Sequence, residues 1–231
     1  MIHKKITEQG RSDQTERIIR EPSETITTDQ NIFQPFTKEF ILSYHHRCFT
    51  CLGLSPRTLQ HFEAGYYSSE RGFMARALVV RLHDRHGQPL GYAVSQGAPP
   101  DCKRWQKWKK NRNFPQSKLI YNWHRATLHN QQPLIITQGP WAVMKLYQVG
   151  FKNVIAPFEP RLTMWQFRII TASPTPRIYI LMAGDNLGIT SAQRLNNILG
   201  ARAKRVFMPS DLEIEYLSND QLAELLAPYG E

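Results

Sequence analysis

The sequence predicts an α/β protein in which a parallel sheet flanked by helices follows a smaller α+β subdomain. Two short apolar runs, at 134–137 and 178–182, each lead through a glycine-containing turn into a helical pattern, as strands and helices alternate in a parallel sheet. A third run, at 153–156, lies between them. Upstream, apolar stretches at 77–82 and 90–95 enclose a turn at 84–88, which reads as a β-hairpin.

Taken in order, residues 1–36 are polar and poor in aromatics, the composition of a mostly disordered arm. Residues 37–126 form the expected α+β subdomain and 127–231 the parallel-sheet subdomain. A helical pattern runs over 38–53 and stops at Gly53, after which Ser55 can cap a helix opened by Pro56. The hairpin comes next. Past the first sheet strand, Ala142, Val143, Leu146 and Val149 share a helical stripe that starts at Pro140 and stops at Gly150. Residues 159–170 predict another helix, 203–209 a strand, and 220–226 a final helix capped by Ser218 or Asn219.

Composition narrows the function. The chain has 231 residues, 41% of them hydrophobic, and a formal charge of +10, enough apolar material for one large domain or two small ones. Residues 1–35 hold five lysines and arginines against six acids, leaving 24 against 13 from Phe36 onward. The basic excess therefore belongs to the folded part and favours polyanions, most simply nucleic acid. No apolar run of membrane-spanning length and no secretory h-region occurs, so a cytoplasmic location is expected. Three cysteines argue against a disulfide framework.

The densest basic stretch is 103–118, with Lys103, Arg104, Lys107, Lys109, Lys110, Arg112 and Lys118, no acid, and Trp105, Trp108 and Phe114 interleaved. Basic side chains neutralise phosphates and exposed aromatics stack on unpaired bases, a mixture suited to single-stranded or junction DNA or RNA. The alternative is that Trp105 and Trp108 pack inward beneath solvated lysines. Arg76, Arg81 and Arg125 could extend the basic track. Cys48 and Cys51, with His45 and His46 before them, make half a zinc site that Cys102 and a histidine would have to complete. The same spacing on a helix equally suits small buried residues, and no metal or other cofactor is expected.

The turns of the parallel sheet resemble the Toprim domain of bacterial DnaG-type DNA primases. One family turn reads Glu-Gly-x-x-Asp-Val, where this chain has Gln138, Gly139, Pro140, Trp141, Ala142 and Val143. The other reads Asp-Gly-Asp-x-x-Gly, where this chain has Ala183, Gly184, Asp185, Asn186, Leu187 and Gly188. Further likenesses are Gly53-Leu-Ser-Pro, Gly65-Tyr-Tyr, the hairpin with Gly91-Tyr-Ala, the link KLIYNWHRA at 118–126, and Leu162-Thr163 with Gln166. The resemblance covers residues 54–226 and leaves out the family's zinc-ribbon and helicase-binding domains.

This resemblance implies a crevice at the carboxyl ends of neighbouring parallel strands, where the family's acids gather Mg²⁺ and one glutamate moves a proton. Here Gln138 cannot titrate, Ala142 and Ala183 carry methyl groups, and Asp185 alone remains. Glu159 is the single acid that this reading offers as a replacement ligand. The expectation is a catalytically inactive, primase-like accessory protein that binds nucleic acid within a larger replication, mobile-element or defence complex. Two alternatives compete with it: an active Mg-dependent nucleotidyl transferase or nuclease with a rearranged acidic site, and a protein-interaction scaffold.

Overall fold

The computed structural model of the chain describes residues 33–95, 108–110, 114–158 and 161–229. Most of the expected N-terminal arm lies outside them. From Phe33 the chain is already packed: the Phe33 ring meets Phe114 edge-on at 5.2 Å, and the Phe36 N–H donates to the Leu90 carbonyl at 3.0 Å.

The first sheet is antiparallel and takes the order of its sequence, β1 (Ala64–Tyr67), β2 (Ala77–His83), β3 (Pro89–Ser95) and β4 (Trp108–Lys110). The hairpin is the expected one, with Val80 opposite Ala93 and Arg81 opposite Tyr92. Asp84 closes its turn by accepting the N–H groups of His86 and Gln88, both at 2.8 Å. The helix expected over 38–53 is confined to α1 (Arg47–Cys51). Upstream, burial alternates with a period of two: Phe40, Leu42, Tyr44 and His46 are half-buried, while Ile41 is 97% exposed. Extended chain has that period, and Ser43 exchanges backbone hydrogen bonds with Tyr66 on β1 at 2.8 and 2.9 Å. α2 (Pro56–His61) starts where expected, with the Ser55 hydroxyl accepting the Thr58 N–H at 3.2 Å.

The link between the sheets contains α3 (Trp123–Ala126). Tyr121 and Ala156 exchange backbone hydrogen bonds at 2.8 and 3.2 Å, and the Asn122 amide donates to the Val154 carbonyl at 2.9 Å. The link is thereby laid along the edge of the second sheet.

That sheet is parallel and runs β6-β5-β7-β8, from β5 (Leu134–Ile136), β6 (Val154–Ile155), β7 (Ile178–Ile180) and β8 (Ala203–Arg205). β5 and β7, the two apolar runs of the sequence, are neighbours, with Leu134 opposite Ile178 and Ile136 opposite Ile180. The helices are α4 (Pro140–Gln148), α5 (Met164–Thr171), α6 (Asn186–Leu199) and α7 (Asn219–Leu226). Local chemistry fixes their starts: Thr163 with Gln166, and Ser218 with Gln221, form reciprocal capping boxes. β8 is shorter than expected, three residues out of 203–209.

One hydrophobic core includes residues of both sheets and their helices. Phe49, Leu59, Phe62 and Leu78 from the first half belong to the same buried cluster as Trp141, Val143, Leu222 and Leu226 from the second, and the Phe49 and Trp141 rings lie 5.8 Å apart. A second cluster under the parallel sheet joins Leu134, Ile136, Ile178 and Ile180 to Ala192 and Leu195 of α6. Among the described residues no helix is long and apolar enough to cross a membrane.

Candidate functional site

A crevice of about 260 Å³ opens at the carboxyl ends of β5 and β7, lined by Thr137, Gln138, Phe158, Met182, Ala183, Asp185 and Glu213 among others. Two glycines of the second turn are dictated by close backbone approach. A Cβ on Gly184 would lie 1.9 Å from the Pro209 carbonyl oxygen, and one on Gly188 would lie 2.2 Å from that of Ala183. The turn frame is thus kept by packing, whatever happens to its acids.

The two polar frame residues are both engaged in holding the turn. The Gln138 Oε1 accepts the Ala183 backbone N–H at 3.0 Å. Asp185 is the N-cap of α6, its Oδ1 accepting the Gly188 N–H at 2.7 Å. Ala142 is fully buried on α4 and does not line the crevice, whereas Ala183 does. Among the described residues no three or more His, Cys, Asp or Glu side chains are grouped as a metal would need. This donor set does not fit the Mg²⁺ that the Toprim resemblance implies: of the two carboxylates lining the crevice Asp185 is a helix cap, no third acid, His or Cys is grouped with Asp185 and Glu213 among the described residues, and Gln138 is a neutral amide.

One residue in the crevice and one in the groove beside it carry no sequence signal for the site. Glu213 stands on an irregular stretch after β8, where no motif spacing points to it. Phe207, also past β8, is 76% exposed in a groove that shares Met182, Ala183 and Gly188 with the crevice. The Thr137 hydroxyl is buried at the crevice and has no hydrogen-bond partner among the described residues.

The basic segment reaches this site through β4. Of its residues, Lys103, Arg104, Trp105, Lys107 and Arg112 lie outside the described set, as do Cys102 and Glu159. Trp108 opposes Ser95, and Lys110 opposes Ala93, on the edge of the antiparallel sheet. The Trp108 ring packs against Trp141 at 5.1 Å and Phe158 at 6.0 Å. It therefore takes the inward-packing alternative. Lys110 Nζ sits 4.7 Å from the centre of the Phe158 ring, and Phe158 lines the crevice. Lys109 and Lys118 are exposed.

The expected extension of the track through Arg81 and Arg125 meets a different arrangement. Both are internal counter-ions of Glu63. The Arg81 side chain, 5% exposed, places Nη1 3.3 Å from Glu63 and 3.1 Å from Glu39, and its Nη2 donates to the Thr37 carbonyl at 2.8 Å. Arg125 Nη2 is 2.8 Å and His83 Nε2 2.9 Å from the second Glu63 oxygen. The His83 hydrogen bond foremost, with the charges of His83, Arg125 and Arg81, outweighs burial and holds the Glu63 carboxyl down to about 2. Arg76 remains on the surface, paired with Glu70. The half-site residues also part company: Cys48 is buried and Cys51 exposed, while His46 caps α1 and stacks on Tyr66 at 4.2 Å. His45 is exposed.

No family model matches the chain. Over 170 residues it is 22% identical to a DNA primase of Aquifex aeolicus (strain VF5), an alignment covering 70% of this chain and 34% of that protein. Over 132 residues it is 30% identical to a DNA primase of Helicobacter pylori (strain ATCC 700392 / 26695), covering 52% and 23%. The chain spans about a quarter to a third of the length of such relatives. Among solved structures, the zinc-binding and RNA polymerase domains of the Aquifex aeolicus primase match with a TM-score of 0.65 at 18% identity, covering 80% of this chain and 55% of that one. A DnaG primase catalytic domain bound to ssDNA matches with a TM-score of 0.63 at 13% identity, covering 81% and 72%. The chain resembles the DnaG catalytic core and has its fold, a parallel sheet flanked by helices beside an antiparallel one.

Proposed function

We propose that this protein is a catalytically inactive, primase-like nucleic-acid-binding accessory protein, working in the cytoplasm as part of a larger replication, mobile-element or defence complex. It takes single-stranded or junction DNA or RNA in a basic groove between an N-terminal subdomain, 37–126, and a degenerate Toprim subdomain, 127–231. The observation that carries this reading is the hydrogen bond from the Ala183 N–H to Gln138. A neutral amide, already engaged in joining two strand ends, stands where the family resemblance calls for a titrating carboxylate.

The binding half of the proposal is supported by how β4 meets the crevice. Lys110 shares the face of Trp108, whose ring packs on Trp141 and Phe158, and its ammonium lies over the Phe158 ring beside the crevice, while Lys109 and Lys118 are exposed on the same segment. Lys103, Arg104, Trp105, Lys107 and Arg112 complete the candidate phosphate and base contacts from the sequence. Arg76 remains a peripheral candidate, while Arg81 and Arg125 have the role of scaffold. Phe207 adds an exposed ring beside the crevice, of the kind on which an unpaired base stacks. The similar fold of a DnaG domain bound to ssDNA agrees with this choice of ligand. Oligonucleotide binding measured with and without EDTA, beside a primer-synthesis assay, tests both halves.

A further inference from the structure

A second concentration of positive charge lies where α2 meets the far end of α4. α4 begins at the crevice and, at 1.5 Å per residue, carries the chain about 13 Å away before Gln148. There a groove of about 440 Å³ is lined by Arg57, His61 and Lys152, with the hydroxyls of Ser55 and Thr58. None of its lining residues is acidic.

The groove is built on a fixed floor. The Gln148 Oε1 accepts the Ser55 N–H at 2.8 Å and the Thr58 hydroxyl at 2.9 Å, and its Nε2 donates to the Gly53 carbonyl at 2.7 Å. One side chain of α4 therefore locks the start of α2 in place. The imidazole of His61 lies flat on Tyr147, centroids 4.6 Å apart at 17°. Lys152 Nζ donates to the Tyr147 carbonyl at 2.7 Å and sits 3.5 Å from the centre of its ring. That contact orients the ammonium and leaves further N–H donors.

We propose that this groove is a phosphate-binding site, separate from the crevice, that takes the phosphate of a free nucleotide or of a nucleic-acid backbone between Arg57 and Lys152. A guanidinium presents paired donors to phosphate oxygens, and the ammonium adds a point charge. The Ser55 and Thr58 hydroxyls are committed to the floor, Ser55 to Thr58 at 2.9 Å and Thr58 to Gln148, so the remaining donor offered to a ligand is the N–H of the His61 ring. Burial foremost, with the charges of Arg125 and Lys152, lowers the His61 pKa, so the groove presents two cations, Arg57 and Lys152, and no acid lines it to neutralise them, which is the electrostatic requirement for capturing an anion. The site does not depend on the β4 groove, so failure of one leaves the other standing.

Isothermal titration of the whole chain with inorganic pyrophosphate at low salt tests this. Arg57→Ser with Lys152→Met is expected to weaken binding by about tenfold or more, as loss of charge-assisted hydrogen bonds should. Lys152→Arg and the crevice variant Asp185→Ala are expected to leave it within about twofold. Competition by a single-stranded oligonucleotide would assign the site to backbone phosphate, and competition by ADP alone would assign it to a free nucleotide; either supports the proposal. Absence of pyrophosphate binding at low salt, or binding indifferent to the double variant, would overturn it.

Discussion

The Gln138 Oε1 accepts the Ala183 N–H at 3.0 Å, tying together the turns that follow two neighbouring parallel strands. Gln138→Ala is expected to destabilise the fold by about 1–2 kcal/mol, because a partly buried N–H loses its acceptor. Gln138→Glu keeps an acceptor at neutral pH and is expected to fold without gaining primer synthesis. Urea denaturation and a primer assay on both variants check this.

Asp185 is expected to behave as a helix cap. Asp185→Asn, which also caps, should hold stability within about 0.5 kcal/mol, whereas Asp185→Ala should lose about 1 kcal/mol. Thermal unfolding of the wild type should be unmoved by millimolar Mg²⁺. A rise in Tm with Mg²⁺ that Asp185→Asn removes would point to a ligand instead.

Two carboxyls set opposite pH dependences. Glu63 is held below its ordinary value of 4.5, at about 2. Its contribution is complete above 4.5 and is lost as pH falls towards 2. Glu215 is fully buried beside Lys145, and desolvation foremost pushes it up to about 7. The folded state therefore holds its proton more tightly, and stability contributed by the neutral form is lost as pH rises from 4.5 through 7. Denaturation midpoints should climb between pH 2 and 4.5. From there to 6.5 His124, held down to about 4 by burial foremost, gains stability as pH rises and opposes Glu215. The Glu215 contribution is therefore read from the difference between wild type and Glu215→Gln, which should shift against the wild type as pH rises from 4.5 to 7. A difference that stays constant over that range would contradict this assignment.

Aromatic substitutions separate packing from binding. Trp108→Ala should cost about 2–3 kcal/mol, since its ring fills the space between Trp141 and Phe158. Phe207→Ala, at an exposed position, should leave stability within about 0.5 kcal/mol. It should weaken single-strand binding by about 1–3 kcal/mol with little change in salt dependence. Trp105→Ala should show the same binding signature. Denaturation and titration of each variant distinguish the two roles.

What the sequence made legible was what local chemistry decides. The apolar runs became β5 and β7, Ser55, Pro140 and Ser218 opened their helices, and Asp84 closed the hairpin. The stretch from Phe40 to His46 is ambiguous in the sequence because its apolar residues suit a helical face as well as extended chain; the isolated bridge between Ser43 and Tyr66 decides for extended chain. Glu63 gathers Arg81, His83 and Arg125 from up to 62 residues away, a convergence no spacing reveals. Glu213 reaches the crevice from chain without motif or periodicity, and Phe207 stands in the adjoining groove because β8 stops at Arg205, short of the strand expected over 203–209. The turn glycines were legible as a frame, but the contacts that require them, Pro209 and Ala183, are tertiary or turn geometry.

The central claim, metal-independent binding of nucleic acid through the basic segment, is tested most directly by fluorescence anisotropy. Labelled single-stranded and duplex oligonucleotides would be titrated over a salt series, with and without EDTA, using wild type and Lys107→Glu/Lys109→Glu/Lys110→Glu. Expected is binding that survives EDTA and falls steeply with salt, each phosphate contact adding roughly 0.7–0.9 to the slope of log affinity against log salt. The triple variant should lose most of the affinity and show a flatter slope. No affinity at low salt, or affinity indifferent to the three substitutions, would contradict the claim and favour a protein-interaction scaffold.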